Sequence, residues 1–332
     1  MPEARILSDQ TRLDIVTVVY GGELAFLRLQ AASLDRFLDP AGVGRVVVVV
    51  NDIDESGVAA AVEALRPDYG RFAGRLVVRR PDELFGLRPA GLGPHGLRQR
   101  FRLWMTRHRR AYPFGVKGGW RGNRGWSVQQ ALKLAAARDG DSRYLLLLDA
   151  KNHFVRPVSV ASFVAADGRA RSFLEPPGDH ARWVQGSFRR LGLAPPDPDA
   201  PAPPTITPYP VARSLVAGCL DALEARVGPA EAFFARARRD ASEFMLVYAH
   251  AAGLPGGWSA AFAEGLVPPA SIFRDSDAAT IDRALARAES GEAEVFSLHS
   301  ARIPGLAPAE RARIAALWRA RGLPAEAVFP EA

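Results

Sequence analysis

Tyr144-Leu145-Leu146-Leu147-Leu148-Asp149-Ala150-Lys151-Asn152-His153-Phe154 is the stretch on which the fold turns. Five uncharged residues, four of them leucine, run straight into Asp149, Lys151, Asn152 and His153. A short apolar run bounded by polar residues predicts a strand buried on both faces. Such strands belong to parallel sheets, and ligands bind where those strands end. Residues 149–153 are therefore the first candidate binding segment. The alternative is a strand followed by an ordinary polar loop.

Upstream, residues 14–20 read as a first strand that ends in Gly21-Gly22. Apolar positions 24, 27, 31, 34, 37 and 38 have helical spacing. Residues 46–50 are five consecutive valines and stop at Asn51-Asp52. A helix over 58–65 and a short strand over 75–79 complete a strand–helix–strand–helix–strand pattern, one half of a doubly wound sheet. Three strands then end in polar groups, and in a parallel sheet those ends share one edge. A helix is expected over 127–138, with Ser127 and Gln130 as a capping box and Gln129 and Lys133 on a face away from its apolar stripe. Further on, residues 194–204 hold six prolines and are expected as a loop or lid. Helices are expected over 215–227, 230–239, 243–250 and 311–321, and short strands over 271–273 and 295–300.

The 332 residues suffice for one large α/β domain or two small ones. No apolar run approaches the roughly 20 residues of a membrane span. With Cys219 as the single cysteine, no intrachain disulfide can form, and a reducing cytoplasm is the expected setting. Charge is unevenly spread. Residues 84–138 contain no acid but ten arginines and two lysines, a local +12 in a chain of net +7. Such a field attracts phosphates, acidic glycans, lipid head groups or nucleic acid. Within it, a helix over 97–112 reads as basic and amphipathic, suited to peripheral contact with an anionic membrane or to packing on the core. Its aromatic residues offer base-stacking surfaces. No recognised nucleic-acid motif accompanies the charge, which places nucleic acid last among the partners.

Four segments together resemble glycosyltransferases of the GT-A type: residues 15–20, Gly125-Trp126-Ser127-Val128-Gln129-Gln130-Ala131-Leu132-Lys133-Leu134, residues 146–154, and Ser242-Glu243-Phe244. The chain is similar to a bacterial group of that fold with an Asp-Ala-Lys-Asn-His-Phe segment in place of Asp-x-Asp. The resemblance implies a single large α/β domain, a Rossmann-type mixed sheet flanked by helices. Residues 14–154 would form a nucleotide-sugar-binding half and residues 155–332 an acceptor-side half. The implied activity is transfer of a sugar from a nucleotide-diphosphate donor to the hydroxyl of a glycan or lipid-linked acceptor, in surface-polysaccharide assembly. The rival is a non-catalytic glycan- or nucleotide-binding protein on the same fold.

Where GT-A enzymes place the second Asp of Asp-x-Asp, this chain has Lys151. A charged lysine does not ligate a hard divalent cation, which takes oxygen ligands. It neutralises a diphosphate directly as a point charge. Either the site works without metal, or Asp149, Asn152 and His299 hold Mn²⁺ or Mg²⁺, or catalysis is lost. The implied donor-binding residues are Tyr20, Gly21, Asp52, Trp126, Lys133, Asp149, Lys151 and Asn152. The turn after Tyr20 would bring backbone amides to the nucleotide, and Gly21 and Gly22 permit close approach. Asp52 would contact base or ribose, or else cap the helix that begins near Gly57. Trp126 would stack on a base or sugar, and Lys133 would reach the phosphates. His153 packs locally. The catalytic residues would be Asp149 and Glu243, the latter as general base of an inverting transfer or, alternatively, a first-turn glutamate favoured by the helix dipole.

Overall fold

The computed structural model describes residues 12–87, 101, 118–235 and 240–331. Its centre is a five-stranded mixed sheet of order β3-β2-β1-β4-β7. The strands are β1 (Leu13–Val19), β2 (Val43–Val50), β3 (Leu76–Arg79), β4 (Tyr144–Asp149) and β7 (Tyr209–Ala212). The first four are parallel, and β7 runs antiparallel to β4. Helices α1 (Leu24–Phe37) and α2 (Glu55–Ala64) make the first crossovers. Helix α3 (Gly125–Ala135) leads into β4.

Alternation along the strands feeds two cores. Ile15, Val46, Val48, Leu146 and Leu148 pack on one side with α1, α7 (Ala278–Glu289) and α8 (Pro308–Ala320). Val16, Val18, Val47, Leu145 and Leu147 pack on the other with α3, α4 (Ala181–Arg190), α5 (Arg213–Val227) and α6 (Glu243–Ala252). The tetraleucine run thus fills both cores, as its lack of alternation predicts. A second, three-stranded sheet joins β5 (Asn152–Phe154) to β10 (Val295–Leu298) and β9 (Ala270–Ile272). Strands β6 (Ala170–Ser172) and β8 (Phe262–Glu264) form a small pair. This is the mixed sheet flanked by helices in a single domain that the sequence predicts.

Several boundaries differ. The segment after Asp149 is a tight turn into β5, antiparallel to β10, a strand the sequence reading did not contain. Helix α3 begins at Gly125, and Ser127 does not cap it; the Ser127 hydroxyl is buried and has no partner among the described residues. The cause is long-range: Asn51 accepts from the Trp120 amide at 3.2 Å and donates to the Gly125 carbonyl at 2.7 Å, so the β2 end fixes the start of α3. The 230–239 helix is seen as Ala230–Ala235, and α6 extends to Ala252. The helix expected over 97–112 falls outside the described residues apart from Phe101.

The edge opposite the strand ends is pinned by ions. Asp14, fully buried, accepts from the Arg45 amide at 2.8 Å, the Ser142 hydroxyl at 2.7 Å and Arg213 at 2.6 Å. Removing one partner of a buried pair strands the other charge, at a cost of about 3–5 kcal/mol. Asp14→Ala is therefore expected to lower stability by about that amount in urea denaturation, with the strand-end cavity unchanged.

Candidate active site

Parallel register places Val18 beside Asp149 and Val19 beside Val50, so the ends of β1, β2 and β4 meet on one edge. A cavity of about 860 Å³ opens there. Of the residues expected at a ligand site, Tyr20, Asp52, Trp126, Lys133, Asp149, Lys151, Asn152, Glu243 and His299 all line it; Gly21 does not.

One face of α3 supplies Trp126, Gln129, Gln130 and Lys133, the i, i+3, i+4, i+7 spacing of a helical stripe. Val128, Ala131, Leu132 and Ala135 fill the core beneath. Lys133 is buried, with Nζ 2.9 Å from Asp149 and 3.2 Å from Glu243 and lying 4.9 Å from the centre of the Phe244 ring. Burial opposes its charge, but the two carboxylates outweigh burial and raise its pKa above the ordinary lysine value. Lys133, expected to reach phosphates, lines the cavity with its ammonium paired to two acids.

Asp149 ends β4. Its Oδ1 takes Lys133 and the Gln129 amide at 3.0 Å, and its Oδ2 lies 3.2 Å from Lys151. Burial works against the ionised form, yet the two lysines hold the carboxyl well below the usual range. Glu243 follows Ser242, whose hydroxyl caps α6. Burial pushes Glu243 up, and Lys133 partly offsets this.

Asn152 shapes the turn. It accepts from the Asp149 amide at 2.7 Å and donates to the Ser297 hydroxyl at 2.7 Å, so both ends of its amide are engaged within the protein. Gln30 on α1 donates to the Asp149 carbonyl at 2.8 Å and steadies the same turn. Asp52 is likewise engaged: it accepts from the Gly21 amide at 2.9 Å and the Asp54 amide at 2.8 Å. Gly21 therefore does not present a free amide, and Asp54, not Asp52, caps α2. At Gly22 a Cβ would lie 2.5 Å from the Tyr20 ring, so a larger residue there would displace that ring. His153 is buried in the core, stacked on Phe26 with centroids 5.9 Å apart.

The donor set does not fit a divalent cation. Asp149 is bound by two lysines, the Asn152 oxygen holds a backbone amide, and His299 Nδ1 accepts from the Ala301 amide at 3.1 Å. Among the described residues no group of three or more His, Cys, Asp or Glu is placed to hold a metal.

Sequence reasoning missed Glu23, His180 and Trp183, which also line the cavity. His180 and Trp183 stack at 4.5 Å, and Trp126 tilts against Trp183 at 5.9 Å. Tyr20, Trp126 and Phe273, 44%, 46% and 42% exposed, bring large apolar rings to the water-facing part of the cavity lining. Glu23, in the turn after β1, had one signal: an acid four residues past the strand end. Burial, with the Asp149 charge, pushes it up to about 7.

The chain belongs to the family of unknown function DUF6492, whose model matches residues 13–256. No curated protein matches it. Among solved structures it is similar to galactosyltransferase LgtC in complex with donor and acceptor sugar analogues. Identity is 12% over 93% of this chain and 99% of that chain, with a TM-score of 0.42. An active-site mutant of LgtC matches at 16% identity over 55% of this chain and 52% of that one, with a TM-score of 0.29. Likeness this distant assigns no substrate or activity. Among the described residues no helix is long and apolar enough to cross a membrane.

The Glu23 shift has a consequence for stability. A carboxyl whose folded pKa lies above its unfolded value binds more protons when folded, so stability falls as pH rises from about 4.5 to 7. Glu23→Gln removes that loss. Its unfolding free energy in urea at pH 8 is expected to exceed that of wild type by on the order of 2 to 3 kcal/mol, with the gain shrinking toward pH 5. An equal gain at both pH values would place the effect elsewhere.

Proposed function

We propose that this protein transfers a sugar from a nucleotide-diphosphate donor to a hydroxyl of a glycan or lipid-linked acceptor. The observation that carries the reading is a strand-end cavity in which Asp149 lies between Lys133 and Lys151, with Glu243 on the far side of Lys133. Such cavities are where ligands bind in open α/β sheets. Residues 14–154 form the donor side and residues 155–332 the acceptor side.

Lys151, the more exposed of the two lysines, faces the diphosphate as a point charge in place of a metal. In the transfer, the bond from the anomeric carbon to the diphosphate oxygen breaks, and its electron pair leaves with the diphosphate. The acceptor oxygen forms the new bond to that carbon, and its proton passes to Glu243. The ion pair with Lys133 uses Glu243 Oε1, and burial favours proton uptake. The Trp183 and His180 rings, stacked at 4.5 Å, support a sugar ring of the acceptor, and Trp126 tilts against Trp183 from the donor side. The reading places the protein in surface-polysaccharide assembly in the cytoplasm, with the basic 84–138 stretch giving peripheral contact with an anionic membrane.

The second reading, a non-catalytic glycan or nucleotide binder, is favoured by one observation: both Asp149 oxygens already face cations. Incubation with a panel of sugar nucleotides, with sugar release and transfer both followed, separates the two. Asp149→Ala is expected to abolish donor binding. Glu243→Gln is expected to keep binding and lower transfer by roughly 10²–10⁴-fold. Turnover is expected to survive EDTA, and loss of turnover in EDTA would restore a metal to the site. Undiminished transfer by Glu243→Gln would remove Glu243 from the mechanism, and binding without any turnover of donor would leave only the binder.

A further inference from the structure

Glu23 immediately precedes α1 and lines the cavity, next to Tyr20 in the chain and within the field of Asp149, Lys151 and Lys133. Every other carboxylate lining the cavity has a partner. Asp52 holds two backbone amides, Asp149 holds Lys133, Lys151 and Gln129, and Glu243 holds Lys133. Among the described residues, the Glu23 carboxylate accepts no hydrogen bond and forms no ion pair. A half-buried acid without a partner among the described residues lowers stability, and such breaches of local consistency collect at functional sites.

The proposed donor is laid out as base, ribose and diphosphate. The same cavity is lined by the Tyr20 ring and Ile53 after the ends of β1 and β2, by Glu23, and by Lys151 paired with Asp149. An ionised carboxylate is an acceptor with two oxygens, which suits two neighbouring hydroxyl donors. Asp52, which the resemblance would set against the ribose, already holds the Gly21 and Asp54 amides. We propose that Glu23 accepts the 2′- and 3′-hydroxyls of the nucleotide ribose and makes the site selective for ribonucleotides. This rests on the donor reading above. The groups facing Glu23 are the Tyr20 phenol, Asp149, Lys151 and Lys133. Its elevated proton affinity agrees with an acceptor whose hydrogen bonds are still to be made.

The test is calorimetric titration of the full chain with UDP, GDP, CDP and ADP and their 2′-deoxy counterparts. For the nucleotide that binds, the deoxy form is expected to bind wild type roughly 10-fold or more weakly, because a site built around a hydroxyl rejects the analogue that lacks it. Glu23→Ala is expected to weaken both forms, through the lost 3′-hydroxyl contact, and to weaken the ribonucleotide more, so that the two bind alike and the double-mutant cycle assigns the 2′-hydroxyl discrimination to Glu23. Glu23→Gln, which keeps one acceptor oxygen, is expected to fall between. Equal binding of ribo and deoxy forms by wild type, or full discrimination retained by Glu23→Ala, would overturn the assignment and leave the donor reading standing. Failure of folded wild type to bind any nucleotide would remove the donor reading and this inference together.

Discussion

The site is organised around one buried ammonium. Taking a lysine out of water is costly unless opposite charges and hydrogen bonds meet it. Lys133 meets Asp149 at 2.9 Å and Glu243 at 3.2 Å, with the Phe244 ring nearby. These groups come from α3, the end of β4 and the first turn of α6, so one interaction draws distant parts of the chain together. Lys133 offsets the burial of both acids. Asp149 also binds Lys151 and Gln129, which fixes the strand-end carboxylate from three sides.

Around this centre most polar groups hold the scaffold. Asn51, Asp52, Asn152 and Gln30 each tie one strand-end turn to another element. The cavity wall also carries the Lys151 ammonium, paired with Asp149, the Glu23 carboxylate and the aromatic rings of Tyr20, Trp126 and Phe273.

Much of this was legible in the chain. The tetraleucine and pentavaline runs announced doubly buried parallel strands, and their polar ends announced the cavity, because burial on both faces leaves a strand only its ends for chemistry. The partners of Lys133, Asp52 and Asn152 were not legible. A lysine on a polar helix face and an aspartate after a strand look alike in sequence whether they meet solvent, a ligand or a residue over a hundred positions away. The Lys133–Glu243 pair spans 110 positions. The same limit explains the start of α3, where an asparagine from β2 overrode a local capping pattern. Strands β5 and β7 are three and four residues long, too short to show a period.

The chain has only three lysines, Lys117, Lys133 and Lys151. Lysine-selective ¹³C labelling therefore gives three side-chain signals, assignable with Lys117→Arg and Lys151→Arg variants. A pH titration of those signals sets burial, which would discharge Lys133, directly against its two carboxylates, which hold it charged. The Lys133 signal is expected to stay in its protonated position past the ordinary lysine midpoint of about 10.4, for as long as the protein remains folded. Titration of Lys133 at or below that midpoint in folded protein would mean that the ion triad does not hold the site together.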